Sequence, residues 1–175
     1  MLDIIVFNEY VIYTLNIVTK ANACMELFRK VAGFGASVED LKNVFFLFVR
    51  SLLEQSATVW HSSLTAENSA DLERVQKSAC RIILKNEFNS YQQALSQLSL
   101  DSLDDRREEL CLKFALKAQK NEKMKDLFPI NKKIHKMKTK YEEKYEVFFA
   151  NTERLKNSAV IHMQKKLNEH ELTKT

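Results

Sequence analysis

Four basic residues recur at helical spacing between positions 74 and 85: Arg74, Lys77, Arg81 and Lys85. Residues three and four apart share a helix face. The row would therefore line one side of a helix with positive charge, as a surface tracking a phosphate backbone does. An ordinary solvated face has the same pattern, and spacing alone leaves both readings open. A second basic cluster, Lys132, Lys133 and Lys136, continues as Lys138 and Lys140 in NKKIHKMKTKYEEKYE. It reads equally as a nucleic-acid or nuclear-localisation patch and as a solvated linker.

Other chemistry finds less support. The one Asp-Asp pair, Asp104-Asp105, follows Ser102 in an S-x-x-D helix start and precedes Arg106-Arg107. Capping explains it better than metal binding. His61, His135, His162 and His170 have no second His, Cys or carboxylate at metal-ligand spacing such as HExxH. With two glycines the chain has no phosphate-cradling loop and no GxSxG elbow. Cys24, Cys80 and Cys111 are odd in number and widely spaced, which argues against a disulfide framework and a zinc site. Cys80 and Cys111 fall on apolar helix faces and read as small buried hydrophobes. Trp60, beside His61, reads as a core anchor rather than a base-stacking platform. No catalytic residue, no metal ligand, no cofactor and no small-molecule substrate are expected. Reduced cysteines favour an intracellular location, nuclear or cytoplasmic.

The elements that must position the basic residues are helical. Only two Gly and one Pro occur in 175 residues, against eleven Phe and an apolar fraction of 45%. Turn-rich β folds need more of the former. The expected class is all-α: a small helical bundle of about four to six helices, with a basic, partly disordered C-terminal tail ending in a short helix. Charge follows the same division. Residues 1–70 hold five Lys/Arg and seven Asp/Glu, residues 71–128 eleven and ten, and residues 129–175 eleven and six.

Along the chain, the apolar segment 1–18 is interrupted by Asp3, Asn8, Glu9 and Asn16 and lacks a basic leader. It is read as packed on the core, with no membrane as partner. An amphipathic helix over 19–32 presents Ala23, Leu27 and Val31 and stops at Gly33 and Gly35. Ser37 with Asp40 opens a helix apolar nearly all round to Leu53, expected to be central and buried. Thr65 caps the helix that bears the basic row, with Leu72, Val75, Ala79, Ile82 and Ile83 inward. Residues 90–99 form a short helix. Ser102 opens another to about Lys120, with Leu103, Leu110, Cys111, Phe114 and Ala118 facing the core. Pro129 marks a boundary. Residues 147–149 dock or extend, and 157–169 form a last helix through Val160, Met163 and Leu167.

These blocks, in this order, resemble the region just downstream of the polymerase palm in non-LTR (LINE-type, jockey-like) retrotransposon reverse transcriptases. The family pattern F-I-R-P-x-L-E-Y-A-S-P-V-W is followed by Phe48, Val49, Arg50, Leu53, Glu54, Ser56, Val59 and Trp60. Its L-E-x-V-Q-(K/R)-x-A-x-(K/R)-I-I block is followed by Leu72, Glu73, Val75, Gln76, Lys77, Ala79, Arg81, Ile82 and Ile83. Leu103, Arg106, Arg107, Leu110, Cys111, Leu112 and Phe114 follow T-L-x-x-R-R-x-x-L-C-L-x-F, and Arg154, Asn157, Ser158, Met163, Leu167 and Asn168 resemble the family ending. The match spans about Thr19 to Glu169. Ser51 and Thr58 stand where the family has proline, and Gln55 where it has tyrosine.

The resemblance implies RNA-directed DNA polymerase ancestry. The aromatic-Ala-Asp-Asp motif that helps hold two catalytic cations is not in this sequence. The expectation is a non-catalytic, thumb-like fragment over 19–128, with a basic linker and helix over 129–175. It would bind RNA or DNA through Arg74, Lys77, Arg81, Lys85, Lys132, Lys133 and Lys136. The competing expectations are a helical protein-interaction or structural module that self-associates through apolar surface, and a non-functional retroelement relic.

Overall fold

Capping and apolar spacing define the helices of the computed structural model, which describes residues 2–131 and 144–173. Among these the chain is all-α. Six helices have seven or more residues: α1 (Leu2–Gly33), α2 (Val38–Val44), α5 (Ala66–Leu84), α6 (Tyr91–Leu98), α7 (Leu103–Ala118) and α9 (Ala159–Leu172). Shorter turns are α3 (Ser51–Leu53), α4 (Ala57–Trp60) and α8 (Glu153–Lys156). Among the described residues no helix is long and apolar enough to cross a membrane.

The expected starts at Ser37, Thr65 and Ser102 are in place, and Ser90 caps a further helix. Ser37, Thr65, Ser90 and Ser102 accept from the backbone N–H of Asp40, Asn68, Gln93 and Asp105 at 3.1, 3.1, 3.3 and 3.1 Å. Each thereby satisfies one donor that a helix N-terminus leaves open. Gly35, at φ +83°, turns the chain after α1 in the left-handed region that suits glycine.

Packing groups the chain into two units. One unit comprises Met1–Ala57 and Leu64–Arg107, the other Thr58–Ser63 and Glu108–Thr175. In the first, α1 runs without a break through residue 18 and packs on α2, α3, α5 and a π-helical segment, Phe45–Arg50. Its buried stripe is Thr14, Ile17, Ala21, Met25, Phe28 and Ala32. Of the expected stripe, Ala23 and Leu27 face outward, Leu27 63% exposed, and Val31 is half-buried. The observed face buries two large side chains, Met25 and Phe28, and so removes more apolar area from water.

The helix expected to be central also differs. Leu41, Phe45, Val49 and Leu53 are buried, while Leu47 and Phe48 are 68% and 60% exposed. Steps of four residues overshoot the 3.6-residue α-helical turn. The wider π turn takes up that excess and keeps the four side chains on one face.

In the second unit, Cys111, Ala115 and Ala118 of α7 pack with Met163 and Leu167 of α9, Phe128 and Tyr145. Phe114, expected inward, is partly exposed because Cys111, Ala115 and Ala118 form the contact face. The stretches around residues 127–131 and 144–148 are tied to α9 by two buried amides. Asn168 accepts from Tyr145 N at 2.8 Å and donates to Tyr145 O at 3.0 Å. Gln164 accepts from Phe148 N at 3.0 Å and donates to Leu127 O at 2.8 Å. Pro129 lies beside an antiparallel bridge, Ile130 to Tyr145.

Candidate functional site

The first unit positions the basic row. Thr65 caps α5 and its apolar face, Leu72, Val75, Ala79, Cys80 and Ile83, is buried. The opposite face must then carry Arg74, Lys77 and Arg81. Arg74 and Arg81 are exposed and Lys77 is partly exposed. Arg74 pairs with Asp71 at 2.6 Å. Arg81 lies over the Phe88 ring at 5.2 Å, a contact that orients the guanidinium without neutralising it. Among the described residues Lys77, Arg81 and Lys85 have no carboxylate partner.

Lys85 departs from the row. α5 ends at Leu84, and Lys85 adopts φ +48°, ψ −115°, outside helical space. It is exposed, but the helical register no longer aligns it with Arg81. Lys132, Lys133 and Lys136 lie outside the described residues.

Other polar residues that carry the family resemblance are held by contacts within this unit. Arg106 Nε donates to Glu54 Oε1 at 3.2 Å, and Arg50 lies 3.4 Å from the same oxygen. Arg107 is fully buried and donates to Ser69 Oγ at 3.1 Å and Asp104 Oδ1 at 3.3 Å. Glu73 accepts from Tyr91 Oη and from Leu103 N, the latter at 3.1 Å, so its carboxylate sits at the N-terminus of α7. Gln76 donates to Tyr91 Oη at 3.0 Å and to Asp101 O at 2.9 Å. The Asp-Asp pair serves the helix start: Asp105 takes a hydrogen bond from Ser102 Oγ at 2.6 Å, and Asp104 takes one from Arg107.

The second unit assembles a cluster that spacing in the sequence concealed. His61 lies in the 3-10 turn His61–Ser63 after α4, Glu108 on α7 and His162 on α9. His61 Nε2 is 3.0 Å from Glu108 Oε1 and His162 Nε2 is 3.1 Å from Glu108 Oε2. The rings meet edge-on, with centroids 5.7 Å apart at 79°. Lys166 Nζ lies 3.4 Å from Glu108 Oε2 and 3.1 Å from Glu169. Burial pushes the Glu108 carboxyl up. The hydrogen bond with His61 and the charges of His162, Lys166 and His61 outweigh it, and the carboxyl titrates below its ordinary value. An ionised carboxylate only accepts, so each facing Nε2 carries the proton when it bonds to Glu108. Separations of 47 and 54 residues gave no local signal for this grouping.

Compared with protein-family models, curated proteins and solved structures, the chain matches none of them.

Proposed function

We propose that this chain is a non-catalytic, nucleic-acid-binding helical module. It is akin to the region beyond a retrotransposon reverse-transcriptase palm and holds the phosphate backbone of a template–primer along α5. The observation that carries this reading is the solvent-facing side of α5. There Arg74, Lys77 and Arg81 share one stripe, and Lys77 and Arg81 have no carboxylate partner among the described residues. Unneutralised cations on a rigid helix release counterions when they meet phosphate, which makes binding strong at low salt. The resemblance of the sequence blocks, in their order, supports a template–primer of RNA or DNA as the partner.

Fluorescence anisotropy of a labelled RNA–DNA hybrid, at low and moderate salt, tests the reading. Binding by the parent chain should weaken steeply with salt. Replacing Arg74, Lys77 and Arg81 with Glu should reduce the salt slope by about three, near one per lost contact, with the helical circular dichroism unchanged. Replacing Lys132, Lys133 and Lys136 separately measures the share of the tail. No binding by the folded parent at low salt would overturn the proposal.

A second reading rests on Leu47 and Phe48, adjacent and largely exposed on the π-helical segment. Exposed apolar side chains of this size suit a protein-interaction module. Sedimentation velocity distinguishes it: a concentration-dependent oligomer abolished by Leu47→Ser with Phe48→Ser supports it, and a monomer at all concentrations refutes it.

A further inference from the structure

We propose that His61, Glu108 and His162 form a zinc-binding site that clips α9 to α7 and to the turn after α4 within the second unit. Their ligand atoms lie within 4.8 Å of one another. His61 Nε2 lies 3.0 Å from Glu108 Oε1 and His162 Nε2 lies 3.1 Å from Glu108 Oε2, so both nitrogens already sit on one carboxylate, near the roughly 3.3–3.6 Å expected between tetrahedral ligands about 2.0–2.2 Å from zinc. The edge-on arrangement of the two rings lets both nitrogens turn toward one point rather than stack.

The donor set fits the ion. Two imidazoles and one carboxylate are borderline ligands that suit zinc, not the all-oxygen shell of calcium or magnesium. Three protein ligands leave a fourth position for water. The burial pattern supplies that position: the His61 side chain is 6% exposed, while Glu108 and His162 are 29% and 22% exposed. The site is walled on the His61 side and reachable on the other.

Binding exchanges protons for metal. Zinc takes the Nε2 lone pair of each ring, so each neutral imidazole must carry its one proton on Nδ1; a ring protonated at both nitrogens gives up its Nε2 proton on binding, and uptake weakens at acidic pH. Lys166 is the built-in competitor. Its ammonium lies against Glu108, and Glu169 at 3.1 Å offers it an alternative partner when the metal enters. Because the ligands come from three stretches far apart in sequence, their shared ion would stabilise the folded unit.

The test uses the full chain without a histidine tag, first stripped with chelator. Zinc is titrated by calorimetry, and cobalt(II) serves as the optical probe for tetrahedral coordination. One ion per chain is expected, together with a cobalt visible band, slower hydrogen exchange across α9 and a higher melting temperature. His162→Ala should lose the cobalt band. Lys166→Ala should tighten zinc binding on the order of tenfold, since it removes a cation next to the metal. No uptake at about 100 µM zinc, far above the dissociation constants typical of protein zinc sites, would overturn the proposal. So would uptake undiminished in folded His162→Ala, since the ion would then sit elsewhere. If His162→Ala fails to fold by circular dichroism, Lys166→Ala decides: an unchanged affinity overturns the site.

Discussion

At the residue scale, Tyr91 donates its hydroxyl proton to Glu73 and accepts from Gln76, joining α5 and α6. Burial and the Glu73 carboxylate both push its ionisation well above that of a free tyrosine. A raised folded-state value means the stabilisation is complete below the unfolded pKa of about 10 and fades as pH rises through the folded value. Thermal melts of the parent and Tyr91→Phe should therefore converge as the pH climbs above 10. A gap that stays constant across that range would show that Tyr91 ionisation is not linked to folding. Cys80 behaves in parallel. Burial, followed by the Glu73 charge, pushes its thiol up to about 11. Native protein at pH 8 should leave Cys80 unalkylated by iodoacetamide while denatured protein reacts fully, as mass spectrometry would show.

At the element scale, the end of α5 decides how far the basic stripe extends. Lys85, at φ +48°, holds a backbone conformation that only glycine adopts without strain. Lys85→Gly should relieve that strain and hold or raise stability, whereas β-branched Lys85→Val should lower it by about 1 kcal/mol, both read from chemical denaturation. If the two variants were equally stable, the helix would not end in that conformation. The π-helical segment makes a similar demand. Phe45 is fully buried in the four-residue stripe, and Phe45→Ala should cost about 3–5 kcal/mol. Phe48→Ala, on the exposed side, should change stability by about 0.5 kcal/mol or less. Equal losses at both positions would contradict the one-sided burial.

At the scale of the whole molecule, contacts between distant stretches hold each unit. In the second unit, buried Gln164 and Asn168 replace the backbone partners that the stretches around residues 127–131 and 144–148 lack. Asn168→Leu should leave Tyr145 N–H and C=O unsatisfied at a cost of about 1–3 kcal/mol. Hydrogen exchange at the Tyr145 amide should accelerate with it. Unaltered protection there would mean that the segment is held by something other than Asn168.

The helical class, the cap residues Ser37, Thr65 and Ser102, and the inward face of α5 were all legible in the sequence. These depend on residues three or four apart, and local chemistry settles them. Choosing between competing stripes was beyond it. Leu27 and Phe48 turn outward because the neighbouring helices offer more buried area to Met25, Phe28, Phe45 and Val49. The π turn follows from that choice of face. The inward roles of Glu73, Gln76 and Arg107 depend on partners 15 to 38 residues away, and no periodicity reports them. The meeting of His61, Glu108 and His162 lies further still from anything local. Spacing along the chain gave those three residues no common chemistry; only the folding of α7 and α9 onto the turn at His61 places them around one point.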